Sequence, residues 1–301
     1  MSLKGTIVRH KILDSAFAIA GRLAMLIGLM TLLVLIMGLA FDGWTRLTWR
    51  FFTSFPSRFP DEAGILSAWV GTTIVMLVTA LTAVPLGVAA AIYLEEYARK
   101  HWLTDLIEIN IANLAGVPSI VYGLLALGLL VYQFQLGQTI LTAGLTLAIL
   151  ILPIVITSAR EALRSVPTSI REAAYALGAT KWQTVKDHVL PYSTGGILTG
   201  LILALSRAIG ESAPLITVGA LSFIAFLPHP PWQPDFPYLT FRWLMDPFTV
   251  MPIQMFNWVS RPQEAFHVNA AAAGLGLMGM TLTMNGLAIY IRARFRKRIT
   301  W

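Results

Sequence analysis

The longest stretch without a charged side chain runs from Ile109 to Ala159 and is 51 residues long. A helix that crosses the hydrocarbon core of a bilayer needs about 20 predominantly apolar residues, so this stretch is long enough for two crossings. The polar segment Gln133–Gln138 lies near its middle and predicts the connection between the two helices. A stretch of this length does not suit an ordinary soluble domain, and it indicates a membrane protein.

The composition of the whole chain agrees with this interpretation. Hydrophobic residues make up 56% of the sequence and charged residues 12%, about half of the ~25% that is typical of globular domains. No segment alternates between apolar and polar residues as a barrel strand does, so we expect an all-α polytopic membrane protein. Six transmembrane helices are predicted, at about residues 16–40, 65–93, 109–132, 139–158, 193–226 and 265–290.

The basic residues predict how these helices are oriented. With six crossings, 16 of the 22 Lys and Arg residues fall on the side that holds both termini, and five fall on the opposite side. Because Lys and Arg accumulate in cytoplasmic loops, both termini of this multi-pass chain are expected in the cytoplasm, within a cell membrane. Topology and lipid contact therefore account for the net charge of +7, and no nucleic acid is expected as a partner.

The crossings divide the chain into three regions. We expect an N-terminal tail, first helix and external loop at 1–64, a transmembrane domain at 65–291 and a basic cytoplasmic tail at 292–301. Within the transmembrane domain, a cytoplasmic loop is expected at 159–191 and an external loop at 228–264. The external loop holds eight of the 16 prolines and eight aromatic residues, which suit either a membrane-surface anchor or a docking surface for a substrate-delivery protein.

The cytoplasmic loop carries the signals of a helix, a sharp turn and a second helix. Ser169 and Glu172 have the S-x-x-E spacing of a capping box, which predicts the start of the first helix. Thr180 and Gln183 have the same spacing and predict the start of the second. Gly178 lies between them and suits the left-handed conformation that ends a helix.

Two further features complete this loop. Pro191 lacks a backbone N–H and is expected to end the second helix before the fifth crossing. Ala173 and Ala174 follow Glu172, and their small side chains permit close approach of another protein's backbone. The alternative is an ordinary polar loop in which the alanines simply favour helix, and the residues alone leave both interpretations open.

The loop also resembles the EAA loop of ABC-importer permeases. His188 departs from the family pattern, which has an aliphatic residue there, and Val189 beside it is the alternative. The resemblance implies that the loop is a coupling helix that docks on a separate ATP-hydrolysing subunit. The matching residues, with docking roles implied for the first four, are Glu172, Ala173, Ala174, Gly178, Leu190 and Pro191.

The fifth predicted crossing contains charges placed deep in an apolar segment. Arg207 and Glu211 are four residues apart and can meet on one helical face. An isolated charge at the bilayer centre costs at least about 2.5–3.5 kcal/mol, which pairing or a water-filled cavity offsets. Gly210 and Pro214 predict a bend or an unwound turn at this point. The pair is therefore a structural ion pair or a pathway or gating site, and the second is favoured because ionisable groups inside membranes usually face the route of transport.

Three blocks resemble the phosphate-importer permeases within the ABC-importer family. They are Asn113–Gly123, Ser206–Leu215 and Asn257–Ala272 with the basic tail. The resemblance implies the type I ABC-importer permease fold and inorganic phosphate as the substrate. It also implies translocation or gating roles for Arg207, Glu211, Ser212 and Pro214.

The same resemblance implies a set of partners. They are a homologous permease, an ATPase dimer, an extracytoplasmic phosphate-binding protein and the lipid bilayer. The sequence contains no G-x-x-x-x-G-K-[ST] phosphate loop, so this chain is expected not to be an enzyme, and ATP and Mg are expected in the partner ATPase. No cofactor of its own is expected, and the five His residues lack the spacing of metal ligands.

Two other functions compete with this one. The first, within the same family, is the homologous partner permease or a permease for another oxyanion such as sulfate or molybdate. Ala213-Pro214-Leu215 and the lack of a long early external insertion argue against the partner permease. The second is an ion-coupled secondary transporter or channel, which co-purification of a separate ATPase would exclude.

Overall fold

The computed structural model describes residues 3–99, 101–232 and 238–296. Lys100, residues 233–237 of the predicted external loop and residues 297–301 of the predicted basic tail lie outside the described residues. The side chains of residues 3–9, 295 and 296 lie outside them as well. The described residues are predominantly helical, which confirms the all-α expectation.

Twelve α-helices form the described part of the chain, joined by short π-helical and 3-10 turns. The last of them continues to Arg296 and so extends beyond the predicted boundary at 290. In chain order the helices are α1 (Leu3–Gly43), α2 (Trp49–Thr53), α3 (Leu66–Ile92), α4 (Trp102–Leu114), α5 (Ser119–Ala126), α6 (Ile140–Arg164), α7 (Thr168–Ala176), α8 (Lys181–Thr184), α9 (Leu190–Ile209), α10 (Ala213–Val218), α11 (Met251–Val259) and α12 (Glu264–Arg296).

Helices α3, α6 and α9 form the centre of the bundle. Thr79 on α3 donates a hydrogen bond from Oγ1 to the backbone oxygen of Gly144 on α6, over 3.1 Å. An added Cβ atom at Gly144 would lie 2.6 Å from Cβ of Val78, so the two backbones approach because glycine stands there. Gly196 on α9 meets Ala162 on α6 in the same way, at 2.7 Å. Small residues thus permit close packing, as is common between membrane helices.

Helix α1 is exposed along nearly its whole length and packs on α12 near its own end. An added Cβ atom at Gly43 would lie 2.6 Å from the backbone nitrogen of Ala272. Just beyond, Arg46 donates from Nε to Oδ1 of Asn269 at 2.8 Å and from Nη2 to the backbone oxygen of Pro60 at 2.7 Å. These bonds fix the segment after α1 to the first turns of α12 and to the loop before α3.

Five described helical spans are long and apolar enough to cross a membrane, and α4 with α5 makes a sixth when this bent pair is counted as one span. These two helices are bent by 106° relative to each other. The prediction of one continuous helix over 109–132 is therefore wrong. The physical reason is Pro118, which precedes α5 with an extended ψ of 136° and whose ring disfavours a helical conformation at Val117.

The fifth crossing breaks at Gly210, as predicted, between α9 and α10. Pro214 stands in the first turn of α10, where its missing N–H interrupts no intrahelical hydrogen bond. Gly219 then ends α10 with a φ of 98°, a left-handed conformation that glycine adopts without steric cost. The predicted helix over 193–226 is accordingly too long, because residues 219–226 are not helical.

The prediction that Pro191 ends the preceding helix is also wrong. Helix α8, a π-helical segment at Val185–Val189 and α9 form one continuous helix from Lys181 to Ile209. Pro191 stands in the first turn of α9, directly after the π-helical segment. The wider π turn makes room for the proline ring, which in a regular helix clashes with the carbonyl four residues earlier.

Two groups of loops and short helices lie at opposite ends of the bundle. We call the end that carries α7 and α8 the elbow end and the end that carries α2 and α11 the loop end. At the loop end, Trp258 and Phe266 are buried with Phe51 in a small apolar cluster. Trp232 and Phe241 remain 65% and 72% exposed. The aromatic residues at this end therefore include both buried packing residues and an exposed surface.

Candidate functional site

The predicted helix, turn and helix are present at the elbow end, and we call the segment Thr168–Thr184 the elbow. Gly178 adopts a φ of 82° between α7 and α8, which confirms its left-handed conformation. The backbone nitrogen of Gln183 donates to Oγ1 of Thr180 at 3.3 Å, and the backbone nitrogen of Thr180 donates to Oε1 of Gln183 at 2.8 Å. The second predicted capping box is therefore confirmed.

The first predicted capping box is wrong. Helix α7 begins at Thr168, directly after Pro167, and no side chain caps it. Pro167 has a φ of −57° and an extended ψ of 138°, so the proline itself sets the chain direction before the helix. Ser169 consequently lies inside the first turn. Glu172 forms no capping bond to it and keeps an exposed carboxylate.

The four residues with an implied docking role occupy different environments. Glu172, Ala173 and Gly178 are exposed, whereas Ala174 is buried. Leu177, beside Gly178, is 90% exposed and was not singled out from the sequence. The elbow therefore exposes a carboxylate, small residues and a leucine side chain. The docking role of these residues remains a prediction.

A buried ion pair attaches the elbow to the bundle. Arg171 donates from Nε and Nη2 to Oε1 of Glu96 at 3.1 and 2.7 Å. Its Nη1 donates to the backbone oxygen of Val166 at 2.8 Å and its Nη2 to that of Leu163 at 3.0 Å. The Glu96 side chain is 5% exposed and the Arg171 side chain 15%. Arg171 thus joins the helix that carries Glu172 to the ends of α3 and α6.

Sequence reasoning missed this contact because the arginines of the loop were interpreted only as signals of topology. The one signal in the sequence was the acidic pair Glu95-Glu96, which directly follows the apolar run Ala63–Leu94. Both carboxylates point to arginines: Glu96 to Arg171, and Glu95 to Arg164 at 3.0 Å. Lys181 Nζ also lies 5.0 Å from the ring centre of Tyr97. The end of α3 therefore holds both helices of the elbow.

The other predicted site lies at the break between α9 and α10. Arg207 Nε lies 3.4 Å from Glu211 Oε1, which confirms that the two side chains meet. The Arg207 side chain is 45% exposed and the Glu211 side chain 18%. Ser212 is half-buried, and its backbone oxygen accepts from the backbone nitrogen of Ile216 at 2.9 Å. An exposed guanidinium thus stands beside an interrupted helix.

The break lies in the half of the bundle nearer the loop end. Ala208 and Ile209, next to Arg207, face the same small cavity as Thr72 and Leu147. These two residues are six and seven positions from the first residues of α3 and α6, which corresponds to about 10 Å along each helix. The charged pair therefore lies within the apolar length of the bundle.

The break in the fifth crossing contacts the bent third crossing. An added Cβ atom at Gly123 on α5 would lie 2.6 Å from Cα of Pro214 on α10. Just before the break, Ser206 Oγ on α9 donates to Oδ1 of Asn285 on α12 at 2.6 Å. The segment that includes Arg207 is thus in contact with α5 after the break and with α12 before it.

Residues 83–299 match the family described as binding-protein-dependent transport system inner membrane component. The chain belongs to this family. The matched residues include the elbow, the Arg207–Glu211 pair and the bent third crossing. Membership makes this chain a membrane-embedded transport permease, in agreement with its long apolar helices.

Relatives of this permease carry related names. The phosphate transport system permease protein PstA of Yersinia pestis is 33% identical over 276 residues, which are 91% of this permease and 87% of the relative. The PstA protein of Mycobacterium leprae is 36% identical and covers 73% of each chain. The phosphate transport system permease protein PstC of Xylella fastidiosa is 36% identical over 177 residues, or 50% of this permease and 54% of that protein.

A solved structure agrees in fold. A bacterial ABC transporter involved in the import of the acidic polysaccharide alginate superposes with a TM-score of 0.57 at 16% identity, over 100% of this permease and 100% of that chain. Identity this low carries information about the fold alone. The fold of this permease is therefore that of ABC-importer permeases, which confirms the predicted fold class.

Proposed function

We propose that this permease is a subunit of an ATP-driven importer of inorganic phosphate. The observation that carries the proposal is the match to the PstA protein of Yersinia pestis along 91% of the chain, since that relative is named for phosphate transport. The exposed guanidinium of Arg207 supports it, because a guanidinium is planar, permanently charged and able to bind an oxyanion through two parallel hydrogen bonds.

The elbow end faces the cytoplasm and the loop end faces the opposite side in this proposal. Positively charged residues support the orientation, because they accumulate in cytoplasmic loops. Described residues at the elbow end are Lys11, Arg22, Arg99, Arg160, Arg164, Arg171, Lys181, Lys186, Arg292 and Arg294, and those at the loop end are Arg46, Arg50, Arg58, Arg242 and Arg261. Both termini then lie in the cytoplasm.

In this proposal, a separate ATPase dimer binds the permease at the elbow. The sequence has no phosphate loop of its own, so ATP and Mg bind in the ATPase. Glu172, Ala173 and Gly178 supply the exposed contact, and Ala174 packs beneath them. When ATP draws the two ATPases together, the elbow moves with them, and Arg171 transfers that movement to the ends of α3 and α6.

Arg207 and its neighbours line or gate the pathway. Its Nε bonds to Glu211, and within the described residues its Nη groups form no hydrogen bond. A guanidinium has four N–H donors on its Nη atoms, so these are available to an oxyanion. Ser212 and Pro214 occupy the interrupted helix, where a change of backbone conformation breaks few hydrogen bonds.

Two further proteins complete the importer. A homologous permease of the PstC type faces the exposed side of Arg207 and forms the second wall of the pathway. A phosphate-binding protein docks on the loop end, where exposed aromatic residues such as Trp232 and Phe241 provide contact area. The lipid bilayer surrounds the remaining apolar surface.

The PstC-type subunit of the same importer is the second candidate for this chain. The PstC protein of Xylella fastidiosa is as similar per residue, but the match covers 50% of this permease against 91% for the PstA protein. Permeases for sulfate or molybdate and ion-coupled carriers are the remaining alternatives. Sulfate or molybdate permeases would differ in the substrate that stimulates ATP hydrolysis. Ion-coupled carriers work without an ATPase.

Reconstitution tests these proposals together. The permease is co-expressed with its PstC-type partner and the ATPase, purified and inserted into liposomes with the phosphate-binding protein added. We expect phosphate to stimulate ATP hydrolysis and to enter the vesicles, while sulfate and molybdate do neither. Stimulation by one of those two ions instead, or uptake driven by an ion gradient without ATP, contradicts the proposal.

A further inference from the structure

Six charged side chains from four helical segments lie at the elbow end in two ion-paired groups, which adjoin through the sequence neighbours Glu95 and Glu96. Three are acids and three are arginines, so the two groups are neutral as a whole. We call them together the ionic cluster, and its members are Glu95, Glu96, Glu108, Arg160, Arg164 and Arg171. It connects the end of α3 with α4, α6 and α7.

One part of the ionic cluster faces the elbow. Arg171 binds Glu96 through two nitrogens and also reaches two backbone oxygens, so its position relative to α3 and α6 is closely determined. Because Arg171 directly precedes Glu172, movement of the exposed elbow surface is passed to the bundle over a single residue.

The middle of the ionic cluster joins α3 to α6. Glu95 accepts from Nε and Nη2 of Arg164 at 3.1 and 3.0 Å, and Nη2 of Arg160 lies 3.6 Å from the same carboxylate. The Glu95 side chain is 17% exposed and that of Arg160 is 11% exposed. Since α3 and α6 also share extensive buried packing, these two helices move as one body.

The far part of the ionic cluster holds α4. Arg160 Nη2 lies 2.6 Å from Oε1 of Glu108, whereas its Nε is buried without a hydrogen-bond partner among the described residues. No residue of α4 is buried, so apolar packing contributes little to its attachment. The contact between Glu108 and Arg160 therefore carries much of the connection between α4 and α6.

Helix α4 is placed to pass movement further. It is joined to α5 through the bend at Pro118, and α5 lies against Pro214 at the break beside Arg207. A displacement of α4 about the bend is therefore expected to shift the packing contact between Gly123 and Pro214. The chain of contacts runs from the elbow through α6 and α4 to the pathway.

We propose that Glu108 and Arg160 are positioning residues of the transport cycle, which make α4 and the bent third crossing follow the movement of the elbow. This inference rests on the proposed function, because it assigns a role in the same cycle. A purely stabilising role fits the geometry less well. The Glu108 side chain is 34% exposed, and an ion pair in contact with solvent contributes little net stability. One donor of Arg160 is also left unsatisfied among the described residues.

Glu108→Gln tests the proposal in the reconstituted importer. We expect phosphate uptake to fall by about tenfold, the factor that corresponds to loss of one charge-assisted contact. ATP hydrolysis stimulated by the binding protein should change by less than about twofold, because Arg171 and the elbow are untouched. The ratio of ATP hydrolysed to phosphate imported therefore rises, which a general loss of folded protein would not produce.

Asp105→Asn is the matched control. Asp105 lies on α4 three residues before Glu108, is exposed and forms no ion pair among the described residues. Its substitution removes the same charge from the same helix and should leave uptake and the ATP ratio unchanged. Equal losses of uptake in both variants would overturn the assignment to Glu108.

A covalent link provides the second test. The sequence contains no cysteine, so Glu108→Cys with Arg160→Cys offers one defined pair of thiols to a bifunctional maleimide. We expect the double variant to import poorly and the cross-linked form to regain uptake. Failure of the cross-link to restore uptake, or normal uptake in Glu108→Gln, refutes the proposal. If the unmodified importer fails to transport phosphate, the proposed function is what has failed.

Discussion

The Cα atom of Pro214 lies 2.6 Å from the position that a Cβ atom at Gly123 would occupy. The two interrupted crossings of this permease therefore touch backbone to backbone, with Thr217 completing the contact. Each interruption has its own proline, Pro118 in the third crossing and Pro214 in the fifth. A shift in the backbone of one broken helix therefore displaces the backbone of the other. This contact lies next to the Arg207–Glu211 pair.

Gly123→Ala should separate the two broken helices. The added methyl group overlaps the backbone of Pro214, and overpacking of this kind costs about 1–3 kcal/mol. We expect a lower thermal midpoint of the purified importer and slower phosphate uptake. Gly128→Ala is the control, because no atom lies within 4 Å of the Cβ position there. If Gly123→Ala behaves like the control, the contact has no part in the cycle.

Arg207→Gln should remove phosphate uptake while the importer still assembles. The substitution takes away the oxyanion donors and leaves the Glu211 carboxylate, 18% exposed, without its partner. Losing a contact to a charged group lowers the rate of phosphate uptake by up to about a hundredfold. Uptake is therefore measured with radioactive phosphate, which detects rates this far below that of the unmodified importer.

The double variant Arg207→Gln with Glu211→Gln distinguishes the two roles left open for this pair. If the pair serves only as a structural ion pair, removing both charges leaves no unpaired group and restores uptake. If Arg207 lines or gates the pathway, uptake stays low in the double variant. Arg294→Gln, at an exposed arginine near the end of α12, controls for the loss of positive charge.

Gly178→Val should weaken the attachment of the ATPase. The φ of 82° is costly for a β-branched residue, by about 1–2 kcal/mol, so the turn between α7 and α8 is expected to change shape. Co-purification with the ATPase reports the loss. Gly178→Asn is the matched control, since asparagine tolerates the left-handed conformation, and nothing crowds the site. Unchanged ATPase binding by Gly178→Val would argue against docking through this turn.

Leu177→Ser should also weaken ATPase binding but leave the permease as stable as before. The leucine is 90% exposed, so its removal creates no cavity, and only a surface covered in the complex would lose apolar contact. We expect the dissociation constant in detergent to rise by about tenfold. Lys186→Ser, at an exposed position just beyond the elbow, should leave it unchanged. An unaltered constant for Leu177→Ser would place the leucine outside the contact.

Local signals in the sequence were reliable where a short stretch of chain suffices to determine structure. The capping box of Thr180 and Gln183, the left-handed Gly178 and the break at Gly210 depend on residues within a few positions of one another. The Ser169 box failed because Pro167, two positions earlier, set the start of α7 first. Competition between two local signals was therefore the source of that error.

The charge-free runs, the distribution of Lys and Arg and the short motifs were enough to place this chain among helical membrane permeases and to single out Arg207 with Glu211. These patterns determine the lengths of the helices, the spacing of apolar residues along them and which side chains are neighbours within one helix. All three depend only on residues close together in the sequence. The 106° bend at Pro118 and the contact of Gly123 with Pro214 were settled only when the helices packed. The same holds for the pairing of Glu96 with Arg171 across 75 positions of sequence, because which distant side chains meet depends on packing that no local pattern encodes.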